Sequence, residues 1–178
     1  MRNVLVQAVA IAVVMLSLAC SKKPANGEAD LPKPEPTPLF KPAVSYWSFE
    51  KTKEKMGYKT WDVLEDRKPL VSDRRPPYRF VAIRVPEYKD HGLSGDLVLS
   101  FYNDRLMKTQ YFVPNMDEYL AAAGSDQQVS LSKEGAGGIS PHTRVWRGKD
   151  AEGKSYVGFE DEVLNQQMKD WIQKYSMQ

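Results

Sequence analysis

Residues 96–113 read DLVLSFYNDRLMKTQYFV, and this stretch sets the fold class that the sequence predicts. Leu97, Leu99 and Phe101 alternate with other residues, which is the pattern of a strand that buries one face. The alternation resumes at Leu106 after a short polar stretch, so the sequence predicts two antiparallel strands joined by a tight turn.

The length of that turn controls which faces of the two strands meet. A two-residue loop would set Leu99 opposite Lys108, whereas a loop over residues 103–105 keeps one mainly apolar face on both strands. With this longer loop, Arg105 would stand where glycine is usual. The predicted pairs are Phe101 with Met107, Leu99 with Thr109 and Leu97 with Tyr111.

The rest of the chain adds further strands and two main helices. Asn115 can cap the first helix, and Glu118 stands at the capping-box position. We expect an antiparallel sheet of about five to six strands with two helices, about 116–123 and 161–175, packed on one face, which is an α+β architecture. A third, short and highly charged helix is indicated over 49–56. The other predicted strands cover residues 59–64, 78–85, 129–131, 143–148 and 155–160, with a turn over 86–95.

Composition limits the classes of partner. The chain has 25 basic and 23 acidic residues, and a formal net charge of +2 argues against a nucleic-acid partner, which usually demands a basic stripe. Cys20 is the only cysteine, so an internal disulfide or a thiolate metal site is excluded. We find no cofactor motif and expect no cofactor.

The first twenty residues have the features of an export signal. Arg2 gives a positive start, residues 4–19 are almost wholly apolar, and Ala19 precedes Cys20. A charged start, a short apolar run and a small residue at the cut site are typical of a signal peptide that is removed. Because the signal ends on cysteine, it resembles a bacterial lipoprotein signal, although Ser17 stands where the commonest lipobox has leucine.

The resemblance covers residues 1–20 and implies that Cys20 is lipidated and becomes the first residue of the mature protein. The pathway attaches two or three acyl chains, which hold a protein far better than one. Ser21 is not the aspartate that favours inner-membrane retention in enterobacterial lipoproteins, so the resemblance implies the outer membrane, facing the periplasm. An ordinary cleaved signal with a chance cysteine, or an uncleaved anchor, is the alternative.

The sequence therefore divides the chain into three regions. Residues 1–19 are the signal peptide, and residues 20–44 are the lipidated cysteine with a tether that contains six prolines. Such a composition favours an extended spacer over a packed core. Residues 45–178 are long enough for one α+β domain.

Two classes of function remain open. The favoured one is a non-enzymatic envelope lipoprotein that binds another envelope protein or a cell-wall polymer, with Tyr102, Trp146 and Tyr156 as a candidate surface away from the core. Their alternative role is second-layer packing under the N-terminal segment. The other class is an envelope hydrolase that uses His142 with Ser140 or a nearby carboxylate, but no nucleophile elbow surrounds the serine. Neither histidine stands in a metal-binding motif.

Overall fold

A computed structural model of the chain describes residues 35–68, 74–123, 137–138 and 141–175. The predicted strand over 129–131 and the signal peptide lie outside these residues. Within the described part, the chain forms three helices and seven strands: α1 (Phe49–Met56), β1 (Asp62–Arg67), β2 (Phe80–Asp90), β3 (Leu93–Tyr102), β4 (Arg105–Phe112), α2 (Met116–Ala123), β5 (Gly137–Gly138), β6 (Thr143–Lys149), β7 (Ser155–Asp161) and α3 (Glu162–Tyr175).

The strands form one antiparallel sheet in the order β1-β2-β3-β4-β7-β6-β5. Since β5 has only two residues, the six longer strands agree with the five to six that we expected. The α+β class is therefore confirmed, although the described chain has three helices where two were expected to build the fold.

The β3–β4 hairpin keeps two of the three predicted pairs, Leu97 with Tyr111 and Leu99 with Thr109. The third is wrong, because Phe101 pairs with Leu106 rather than Met107. The turn has two residues, Asn103 at φ 48° and Asp104 at φ 57°, and positive φ at both positions suits a tight hairpin. A β-bulge at Met107 of β4, opposite the step from Ser100 to Phe101, absorbs the extra residue, so the buried face stays continuous.

Strand β2 continues to Asp90, although the sequence predicted a turn over 86–95. Pro86 lacks a backbone N–H, and the pairing of β2 with β3 shifts register between Val85 and Tyr88 to accommodate it. Only the first part of β2 pairs with β1. The second part is therefore an edge, where proline is tolerated.

Helices α2 and α3 lie on opposite faces of the sheet, so the expectation that both pack on one face is wrong. Tyr119 and Leu120 of α2 belong to the main core, which includes Phe101 of β3. Leu164 of α3 belongs to a second cluster that includes Tyr102. Successive residues of a strand point to opposite faces, so the two clusters are on opposite sides. Alternation alone could not assign α3 to a side.

Helix α2 begins at the predicted cap, and α3 begins at a cap that the sequence prediction placed inside the helix. The Asn115 Oδ1 atom accepts hydrogen bonds from the backbone N–H groups of Asp117 and Glu118, at 3.1 and 3.2 Å. The Asp161 Oδ1 atom accepts one from the N–H of Leu164 at 2.9 Å. Asp161 is thus the cap of α3 rather than its first residue.

The segment before α1 is part of the core, although the sequence placed the start of the domain at residue 45. Leu39, Phe40 and Ala43 are at most 2% exposed. The Thr37 carbonyl accepts a hydrogen bond from the N–H of Ser45 at 2.9 Å, which closes a compact loop. The folded part therefore includes residues that composition assigned to the tether.

Candidate functional site

The structure separates Tyr102 from the other two candidate surface residues. Tyr102 is 4% exposed. Its ring packs against Tyr78, with centroids 5.8 Å apart, in the cluster that contains Leu164 of α3, and Tyr46 of the N-terminal segment packs against the same cluster. Second-layer packing, the alternative role, accounts for Tyr102, and we leave this residue out of the candidate site.

Trp146 and Tyr156 lie together on neighbouring strands β6 and β7. The indole Nε1–H of Trp146 donates to the Tyr156 hydroxyl at 3.3 Å, and the two rings are nearly perpendicular, at 89°. Phe112 of β4 is the cross-strand partner of Tyr156, with ring centroids 5.0 Å apart. We call Phe112, Trp146 and Tyr156 the aromatic corner. All three side chains are partly exposed.

Two glycines make room for the aromatic corner. Trp146 pairs with Gly158, and Tyr156 pairs with Gly148. A Cβ atom on Gly158 would lie 2.5 Å from the Trp146 Cζ2 atom, and one on Gly148 would lie 2.6 Å from the Tyr156 Cζ atom. These distances are too short for any side chain, so each ring rests directly on the backbone of the opposite strand.

Charged residues border the aromatic corner. Glu160 is flanked across the sheet by Lys108 and Arg144, and its Oε1 atom accepts a hydrogen bond from Asn165 at 2.7 Å. Burial raises the pKa of Glu160, and the nearby charges of Lys108, Lys169 and Arg144 only partly offset that rise. The Arg144 guanidinium also lies 5.7 Å from the centroid of the Trp146 ring, a cation–π contact.

A shallow depression of about 530 Å³ adjoins Tyr156. It lies between the start of α2 and the β6–β7 hairpin, and its lining is mostly polar or charged, with Asn115, Asp117, Arg147 and Ser155 among the lining residues. The open shape suits an elongated ligand on the surface better than an enclosed small molecule.

The residues of the hydrolase alternative gain no support from their surroundings. His142 is exposed in the turn before β6, where its backbone carbonyl accepts a hydrogen bond from the N–H of Glu162 at 2.9 Å. Ser140 lies outside the described residues. His91 is 3.7 Å from the Asp90 carboxylate and packs against the Tyr119 ring. In the described part of the chain, no group of three or more His, Cys, Asp or Glu residues could hold a metal ion.

None of the helices that the structure describes has the length and apolar character needed to cross a bilayer.

Sequence reasoning found two of the three rings in the aromatic corner and missed Phe112. It also missed Gly148 and Gly158. The available signal was positional: Trp146 and Gly148 stand two residues apart on one strand, and Tyr156 and Gly158 do so on the next. In the observed register this spacing places each aromatic residue opposite a glycine.

Comparisons with known proteins give no relationship from which to argue: no protein-family model matches the chain, and no curated protein matches it significantly. The functional argument therefore depends on the chemistry of the chain alone.

Proposed function

We propose that this chain is a lipid-anchored protein of the cell envelope that binds a partner without catalysing a reaction, through the aromatic corner. The arrangement of Trp146 and Tyr156 carries the proposal. The rings stay partly exposed while the backbone and a hydrogen bond hold them in position. Aromatic side chains fixed in this way lose little conformational entropy on binding.

The anchor is supported by the sequence of residues 1–20. Acylation of Cys20 would place the domain at a membrane, and the absence of aspartate at position 21 favours the outer membrane with the domain in the periplasm. Feeding cells a fatty-acid analogue should label the wild type and leave Cys20→Ser unlabelled. An intact Met1, or a mature N-terminus with a free thiol, would refute this half of the proposal.

Photo-crosslinking in cells tests the binding role. A photoreactive amino acid would replace the exposed Arg144, which lies on the same face of β6 as Trp146. The matched control would replace Leu64, which is 52% exposed on β1, far across the sheet. We expect position 144 to give a reproducible adduct of defined mass that Trp146→Ala abolishes, and position 64 to give none. Adducts that form equally well in the Trp146→Ala variant would refute the role of the aromatic corner.

A further inference from the structure

Half of the sheet face that carries the aromatic corner lies outside the contact with α3. Helix α3 packs on the other half, in the cluster that contains Tyr102 and Met107, and its Asn165 reaches Glu160 at the boundary. We call the outer half the open face. It consists of partly or fully exposed side chains from three neighbouring rows of cross-strand partners: Asp96, Phe112 and Tyr156 in the first, Asp62, Arg84, Val98, Gln110 and Trp146 in the second, and Lys108, Glu160 and Arg144 in the third. Cross-strand partners point to the same side of a sheet, so these side chains form one surface.

The charges of the open face balance one another. Its cations and anions are equal in number: Arg84, Lys108 and Arg144 against Asp62, Asp96 and Glu160. The Arg84 Nη2 atom is 2.6 Å from the Asp62 carboxylate, and Glu160 lies between Lys108 and Arg144 in its row. A ligand with a net charge of either sign would therefore meet like charges as well as opposite ones, and like charges brought together oppose binding. This balance favours an uncharged ligand.

An uncharged glycan has both kinds of group that the open face can bind. The apolar faces of its sugar rings can pack on Trp146 and Tyr156. Its hydroxyl groups can donate hydrogen bonds to carboxylates and accept them from guanidinium and ammonium groups. A protein partner is disfavoured, because the cores of protein–protein interfaces are usually depleted of charged residues, whereas Arg144 lies against the Trp146 ring.

The second row indicates the length of the ligand. From Trp146 on β6 to Arg84 on β2 this row crosses four strand spacings, which is about 19 Å at about 4.8 Å for each spacing. Gln110 lies midway on β4 and offers an amide that both donates and accepts hydrogen bonds. A surface of this width accommodates several linked sugars better than one.

Resting on the proposed binding role, we infer that the partner of the aromatic corner is an uncharged polysaccharide of the cell envelope. One sugar ring packs on Trp146 or Tyr156, and the chain continues across the sheet, where its hydroxyl groups bind Gln110 and Arg84. The partner is thereby a polymer of sugars rather than a second protein.

The test uses the full chain purified in detergent, with three soluble hexamers as probes. The N-acetylglucosamine hexamer is uncharged, a uronic acid hexamer is anionic, and a glucosamine hexamer is cationic at a pH where its amines are protonated. The N-acetylglucosamine monomer tests the dependence on length. Binding is followed by calorimetry at low and at high salt. The variants are Trp146→Ala and Gln110→Ala, and their matched controls are Val63→Ala and Gln173→Ala, which alter exposed residues of β1 and α3.

We expect the uncharged hexamer to bind more tightly than either charged hexamer and more tightly than the monomer. Its affinity should change little with salt, because screening weakens interactions between charges. Trp146→Ala should weaken binding about tenfold, as expected for the loss of one packed ring. Gln110→Ala should weaken it about fivefold, and both controls should match the wild type. Gln110 is partly exposed, so its variant keeps the test valid even if Trp146→Ala does not fold.

The other outcomes separate the two proposals. Equal or tighter binding of a charged hexamer would overturn the uncharged ligand, and equal affinity for the monomer would overturn the polymer. Mass analysis of the adduct at position 144 should give sugar fragments. Absence of glycan binding, together with a Trp146-dependent adduct that gives peptide fragments of another protein, would overturn the glycan and leave the binding role standing. Absence of both glycan binding and any Trp146-dependent adduct would overturn both.

Discussion

Phe40 tests whether the folded domain begins before residue 45. Its ring is 2% exposed and lies 5.0 Å from the Tyr111 ring and 5.9 Å from both the Tyr88 and Phe159 rings, between centroids. Truncating a buried phenylalanine to alanine costs about 3–5 kcal/mol. Because whole domains are stable by about 5–15 kcal/mol, Phe40→Ala should remove a large share of the free energy of unfolding.

The assay is thermal unfolding followed by circular dichroism. In a domain of this size each kcal/mol lowers Tm by about 3 °C, so Phe40→Ala should melt about 9–15 °C below the wild type. Pro36→Ala is the matched control, because Pro36 is exposed in the same segment, and its Tm should stay within about 2 °C of the wild type.

A truncation gives a second measure of the same point. A chain that begins at residue 45 lacks Leu39, Phe40 and Ala43, which are all buried, and we expect it to be unfolded at room temperature. If this chain folds cooperatively, and if Phe40→Ala melts together with Pro36→Ala, the segment before residue 45 is a spacer and our reasoning about the core is refuted.

Three further predictions follow from single contacts. Gly158→Ala should lower the free energy of unfolding by about 1–3 kcal/mol in urea titrations, and this loss should largely disappear in a Trp146→Ala background, because the three atoms nearest to the new methyl group all belong to the indole. Tyr111→Phe should destabilise by about 1 kcal/mol, since the Tyr111 hydroxyl donates a hydrogen bond to the backbone carbonyl of Leu93 at 2.9 Å. Tyr46→Phe should be neutral or stabilising, because the buried Tyr46 hydroxyl has no hydrogen-bond partner among the residues that the structure describes. Equal losses in the two variants would contradict this difference. Because the pKa of Glu160 is raised in the folded state, its contribution to stability is full below the unfolded pKa of about 4.5 and is lost as pH rises through the folded pKa. Glu160→Gln should therefore reduce the fall in the free energy of unfolding between about pH 4 and pH 7. A pH profile of stability identical to that of the wild type would contradict this prediction.

Local chemistry was enough to predict most elements of secondary structure. Alternating apolar residues located the strands that became β3, β4, β6 and β7, and the capping residue Asn115 located the start of α2. These features depend on interactions within a few residues, so they are readable from the chain. The same reasoning placed Trp146 and Tyr156 on one hairpin.

Features that depend on distant residues could not be read in this way. The hairpin loop was predicted to have three residues, because the β-bulge at Met107 that restores the register leaves no clear mark in the sequence. The buried position of Tyr102 depends on α3, a helix that begins sixty residues later. Composition likewise marked the segment around Phe40 as a spacer.

The physical reason is the range of the forces involved. Hydrophobic periodicity and helix capping depend on residues within about two helical turns of each other, so each pattern can be recognised in a short stretch of sequence. The side of a sheet that a helix covers, and the burial of Leu39 and Phe40, depend on how much apolar surface the whole chain removes from water. That quantity belongs to no single stretch, so the aromatic corner became recognisable only when Gly148 and Gly158 were brought under their rings by the folded sheet.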